Sequence, residues 1–379
     1  MKKLLFLLCF PFCALSQQLI TENVFYDGHN REYIIYIPQS YSSSISSPIL
    51  FAFHGGDGYA IDFMNDEADF RSISDTAGFI LVYPQALEDP NDGGSTNWLH
   101  KDPTDHKDIF FIETLIDTIA YDYNIDMDRV YATGFSLGGM FCYELACQLN
   151  SRITAVASVA GAAFLGAFSS CSLTHPTAVL TINGTIDGTH PYNGLPNVFF
   201  SIPDINNFWI SNNNTDVTPI ITQIPNINVS DGSTVERYSW QNGDGCVSIE
   251  ELKIINGGHD WPSPLASWSN QDINANVEVW KFVSKFDITG LIGCNTTNVV
   301  DFEIRNSKRL IGIVDILGKE TRHHYNQLIF FLYSDDKLSI QLVHWLAIRD
   351  GSVVREKNSL KSRSLISESG QSHVHVYQS

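Results

Sequence analysis

Between about Ile34 and Trp280, short β-branched or apolar runs alternate with longer amphipathic stretches. The runs at 33–37, 49–53, 79–83, 129–133, 155–159, 178–182 and 251–255 predict strands. Most are nearly continuous in apolar residues, as a strand covered on both sheet faces requires. Residues 108–123 and 277–286 predict helices, and in the second Val277, Trp280, Val283 and Phe286 fall close to one stripe. The Gly, Pro, Asn and Asp content of 88–97 and 211–233 predicts loops. Strands joined by crossover helices give an α/β fold, with a mostly parallel central sheet and helices on both faces.

The pattern changes from about Gly293. An Asn/Thr-rich linker around 295–298 precedes a strand-turn-strand pattern at 310–319 and 327–333, and the tail after Ser334 is irregular. At the other end, Lys2 and Lys3 lead an apolar run from Leu4 to Leu15, and Ala14-Leu15-Ser16 offers small residues before Gln17. That predicts a signal peptide, too short to act as a membrane anchor. The expected organisation is a signal peptide at 1–16, a catalytic domain at 17–293, a linker with a terminal strand pair at 294–335 and an irregular tail at 336–379.

Charge narrows the partners. Lys+Arg total 23 against 42 Asp+Glu, a formal charge of −19, so nucleic acid and anionic membrane surfaces would be repelled. Only 17% of residues are charged, so Ser, Thr and Asn must supply much of the polar surface. Removal of the signal leaves Cys142, Cys147, Cys171, Cys246 and Cys294, an odd set in which at least one thiol is unpaired within the chain. Cys142 and Cys147 would sit about 140° apart on one helix, so they should not bridge each other, and both are expected to be small core residues. No spacing suggests a zinc site.

The chemistry concentrates at strand ends. Gly134-Phe-Ser136-Leu137-Gly138-Gly139 follows a predicted strand and opens a predicted helix, the setting in which Gly-x-Ser-x-Gly exposes a nucleophilic hydroxyl. A serine needs a base and the base needs an orienting carboxylate. Asn183-Gly-Thr-Ile-Asp187 and Asn256-Gly-Gly-His259 each follow a strand, making Asp187 the acid and His259 the base, while Asp260 would have to fold back on its own neighbour. The order Ser, Asp, His is that of an α/β-hydrolase. His54-Gly55-Gly56 follows an early strand, where such folds supply one oxyanion-hole N–H, so Gly56 and Leu137 are the expected donors. His54 itself is expected to fix that loop. Trp98, Tyr192 and Trp261 lie in flanking loops and are candidate substrate-binding aromatics. Neither a metal nor an organic cofactor is implied.

These motifs, with Asn97-Trp98 before Asp108-Ile-Phe-Phe-Ile112, Pro191-Tyr192-Asn-Gly194 and Gly257-Gly-His-Asp-Trp-Pro262, make the stretch from Asn23 to Phe286 resemble the secreted esterases that include poly(3-hydroxybutyrate) depolymerases and feruloyl or acetylxylan esterases. The resemblance implies a Ser136, Asp187, His259 triad and an ester substrate, expected to be polymer-linked. Lys107 departs from the family, which tends to carry a second acid beside Asp108. Residues 309–335 resemble a type IX secretion sorting signal, with the secretion machinery as the implied partner, although family members end soon after the second strand. The competing expectations are a serine peptidase of the prolyl-oligopeptidase type and a non-catalytic polymer-binding protein on a hydrolase scaffold.

Overall fold

Among the described residues the chain first turns at Asp27-Gly28, where both residues have positive φ (47° and 81°) and let two strands pair tightly across two residues. The strands are β1 (Gln18–Tyr26) and β2 (His29–Ile37). The computed structural model describes residues 17–89, 93–98, 107–169 and 171–294, plus the strand segments 310–315, 329–333, 338–339, 347–349 and 352–354. The expected signal peptide therefore lies outside the described residues, as do most of the linker and the tail.

After β2 come β3 (Ser47–Phe53), β4 (Ile80–Pro84), β5 (Ile125–Phe135), β6 (Ala155–Val159), β7 (Ala178–Gly184), β8 (Ile220–Gln223), β9 (Thr234–Trp240) and β10 (Ile249–Ile255). They form one sheet in the order β1-β2-β4-β3-β5-β6-β7-β10-β9-β8. The run from β4 through β10 is parallel, and each side ends in antiparallel strands. Every residue of β3, β4, β6 and β7 is buried, which is why those segments read as continuous apolar runs.

Alternation along β3 feeds two cores. Ile49, Phe51 and Phe53 face one layer with Phe111, Leu115, Phe141 and Trp209, while Leu50 and Ala52 face another with Phe63, Phe79, Val279 and Phe282. The helices are α1 (Arg71–Ala77), α2 (Lys107–Asp122), α3 (Leu137–Gln148), α4 (Ile202–Asn212) and α5 (Ala275–Val283). A π-helical turn, Phe63–Glu67, precedes α1. Helix α2 is pinned through a buried ion pair, Arg31 to Asp108 at 2.7 Å, with the guanidinium 3.8 Å from the Phe111 ring centre.

Several elements differ from expectation. Strands β1, β8 and β9 and helices α1 and α4 fall outside the predicted elements, and β8 lies inside a stretch expected to be loop. The expectation for Cys147 is corrected: it is bonded to Cys171, and Cys246 to Cys294, while Cys142 remains free and buried. On α3 the two thiols point to different faces, so Cys147 reaches the loop that carries Cys171. Compact units divide between Thr296 and Thr297, and Cys294 is tied into the first. In the second unit Leu310–Asp315 pairs antiparallel with Ile329–Tyr333, as the strand-turn-strand pattern suggested.

Candidate active site

The carboxyl ends of the parallel strands bring the chemistry together, as expected for open α/β sheets. Strand β5 ends at Phe135 and α3 begins at Leu137, so Ser136 alone makes the turn. It has φ 54° and ψ −118°, a conformation costly for a residue with a side chain. The backbone is held there by the Ser136 N–H donating to Val159 O at 2.9 Å and by Met140 N–H donating to Ser136 O at 3.0 Å. The flanking glycines are required by contact rather than by φ. A Cβ at Gly138 would lie 2.2 Å from the Phe53 carbonyl oxygen, and one at Gly134 would lie 2.4 Å from the Gly138 carbonyl carbon.

His259 Nε2 lies 2.9 Å from Ser136 Oγ, and its Nδ1 lies 2.7 Å from Asp187 Oδ2. Asp187 Oδ1 accepts from the N–H groups of Thr189 and His190, each at 2.8 Å. Burial opposes ionisation of this carboxyl, but the hydrogen bonds from His259, His190 and Thr189 outweigh it and hold the group below the usual carboxylate range. Asp260 instead turns its carboxylate toward Gly258. Burial raises its pKa, and the nearby Asp187 charge raises it further.

The His54-Gly55-Gly56 loop lies directly beside the serine. A Cβ on Gly55 would meet Ser136 Cβ at 3.4 Å, and one on Gly56 would meet Leu137 Cδ1 at 2.4 Å. Among the described residues no backbone acceptor takes the Gly56 or Leu137 N–H, the latter being one of the orphan donors at the start of α3. His54 is 1% exposed. Its Nδ1 bonds Gly55 O at 2.6 Å, and its Nε2 accepts the Ala86 N–H at 3.2 Å. Burial drives its pKa down to about 4 despite the bond to Gly55.

The three flanking aromatics, the candidate substrate-binding residues, are all buried. Trp98 stacks on Phe141, meets the His54 ring and donates Nε1–H to His54 O at 2.8 Å. Tyr192 donates its hydroxyl to the buried Glu251 carboxylate, whose other oxygen accepts from Asn206 at 3.0 Å. Trp261 donates to Asn276 at 2.9 Å and packs edge-on against Phe63. Each anchors a loop of the site to the body of the sheet. The open space next to the His54–Gly58 loop is a cleft of about 240 Å³ walled by Tyr59, Asp62, Phe63, Asp66, Glu67 and Phe135.

The Esterase family model matches residues 26–257 of the 379. The chain belongs to the Esterase family. The bifunctional acetylxylan esterase/xylanase of Neocallimastix patriciarum is 28% identical over 276 residues, covering 71% of this chain and 36% of that protein. Feruloyl esterase C of Emericella nidulans is 28% identical over 266 residues, covering 67% of this chain and 84% of its own. The chain thus spans little more than a third of the length of the first relative. Among solved structures, an acetyl xylan esterase from Aspergillus awamori superposes with a TM-score of 0.51 at 17% identity, over 71% of this chain and 99% of that one. The fold is of the α/β-hydrolase type.

Sequence reasoning missed two neighbours of His259. The His190 ring is 5.0 Å from His259 and edge-on to it, with Nδ1 bonded to Ala160 O at 2.7 Å. Phe135 covers His259 at 5.1 Å. Position beside Ser136 and three residues after Asp187 was the available signal. Among the described residues no group of His, Cys, Asp or Glu could hold a metal ion, and no helix is long and apolar enough to cross a membrane.

Proposed function

We propose that this esterase is an exported serine carboxylic ester hydrolase of the feruloyl or acetylxylan type. The observation that carries the reading is the continuous hydrogen-bonded line from Ser136 Oγ through His259 to Asp187, at 2.9 and 2.7 Å. His259 Nε2 takes the hydroxyl proton as Ser136 Oγ attacks the ester carbonyl. Asp187 keeps the proton on Nδ1 and balances the imidazolium that forms. The N–H groups of Gly56 and Leu137 receive the developing oxyanion. His259 then protonates the departing alcohol, and water repeats the sequence on the acyl-enzyme to release the acid.

The strained backbone at Ser136 supports a nucleophile, because such strain persists where the hydroxyl must stand clear of the sheet. Two disulfides support an oxidising compartment and hence the signal-peptide reading of residues 1–16. The relatives favour esters on plant polysaccharide over polyhydroxybutyrate. The C-terminal strand pair is read as the sorting segment, with the catalytic domain running from 17 through Cys294 rather than ending before it. A fluorophosphonate probe should label the protein and fail to label Ser136→Ala, and methyl ferulate, acetylated xylan and a polyester film assayed in parallel identify the acyl group. Labelling that survives Ser136→Ala would refute the nucleophile, and turnover of the film alone would refute the substrate class.

A further inference from the structure

The loop that follows the histidine makes an excursion of its own. Ser263 N–H donates to Asn270 O at 3.2 Å, and Ala275 N–H donates to Pro262 O at 2.9 Å, so the chain between closes on itself and pushes its tip outward. At that tip Leu265 is 94% and Trp268 75% exposed. A second loop, 226–233, carries Ile227 and Val229, also largely exposed. The two loops are tied together. Asp272 Oδ1 accepts the N–H groups of Ile227 and Asn228 at 2.7 and 3.1 Å, Asp231 Oδ2 accepts Gln271 N–H at 2.9 Å, and Asn270 donates to Ser233 at 2.8 Å.

Large apolar side chains held out on a cross-braced platform need a reason, since exposing them gains nothing for the fold. Neither loop contains Lys or Arg, and both their carboxylates, Asp231 and Asp272, are taken up by backbone N–H groups. In a chain of net charge −19 this surface carries only those two hydrogen-bonded carboxylates, and its indole, Trp268, lies in a stretch of Ser and Asn residues. It is continuous with the site, because Trp261 and Pro262 join the excursion directly to His259. We propose that the paired loops 226–233 and 263–272 dock the neutral polysaccharide that bears the scissile ester, with a sugar ring stacked on Trp268. The pyranose face offers C–H groups to the indole and hydroxyls to the surrounding polar side chains. The inference rests on the substrate class given above.

Two measurements on the full chain test it. Trp268→Ala should leave turnover of p-nitrophenyl acetate unchanged, raise KM on acetylated xylan roughly 5- to 10-fold and lower retention on insoluble xylan to match. Trp268→Phe should recover most of both. Unchanged KM and retention in Trp268→Ala would overturn the docking surface, as would wild-type retention on a polyhydroxybutyrate film but not on xylan. Trp268-dependent self-association with no effect on xylan would overturn it too, assigning the surface to a second copy. Retention is read apart from turnover, so loss of hydrolysis on every ester would sink the esterase reading while retention still decides the surface.

Discussion

Acid should destabilise this protein in part through one buried residue, His54. Its ring is 1% exposed and neutral in the fold, with Nδ1–H donating to Gly55 O and Nε2 accepting the Ala86 N–H. A second proton on Nε2 would face the Ala86 N–H and, at 3.2 Å, the Gln85 amide nitrogen, exchanging an acceptor for a clash of donors. Burial accordingly lowers the pKa from 6.5 to about 4. The unfolded chain binds this proton below pH 6.5 and the folded chain only below about 4, so stability falls as pH falls through that window and is level outside it. A gap of about 2.5 pKa units at 1.36 kcal/mol each is about 3 kcal/mol, a large share of the stability of an ordinary domain. Urea unfolding of wild type and His54→Gln at pH 7 and pH 4.5 separates this from the other groups, which titrate in both proteins. The variant should be less stable at pH 7 but lose about 2 to 3 kcal/mol less on acidification. Because Gly55 O is bonded to this ring and Gly56 follows it in the chain, the wild type should also lose ester turnover in step with its stability. If both proteins lose stability equally between the two pH values, His54 is not buried neutral and the reasoning fails.

The orienting acid can be tested by exchange. Asp187→Asn should lower kcat on a p-nitrophenyl ester about 10⁴-fold, whereas Asp260→Asn should retain most activity; the reverse outcome would refute the assignment. Asp108→Ala leaves the Arg31 guanidinium, 2% exposed, without its ion partner and should cost about 3 to 5 kcal/mol in urea unfolding, much of it recovered when Arg31 is replaced by Met as well. The Cys246–Cys294 bond closes a separation of 48 residues, so a chain ending at Gly293 should be about 4 kcal/mol less stable than one ending at Thr296, measured by the same unfolding assay. Equal stability would return Cys294 to the linker.

The sequence by itself determined the central sheet and the three residues at its carboxyl edge. Strands such as Ser47–Phe53 are buried on both faces, so their apolar runs carry the signal without help from neighbours. Ser136 needs glycines two residues away on either side because Phe53 O and the Gly138 backbone crowd the turn, and that demand is written in the chain. Tertiary structure decided the rest. Strand β8 (Ile220–Gln223) is exposed along its length and pairs only with β9, so no alternation of buried and exposed positions marks it, although three of its residues are β-branched. The β1–β2 hairpin carries a local signal of its own, Asp27-Gly28, a residue pair suited to a two-residue turn. Cysteine partners stand 24 and 48 residues apart, a distance that composition cannot resolve into pairs. Trp98, Tyr192 and Trp261 sit in loops and are nevertheless buried, because each found an acceptor and a packing partner on another element. Whether a loop aromatic meets solvent or the core depends on what the fold places over it, and only the assembled sheet supplies that.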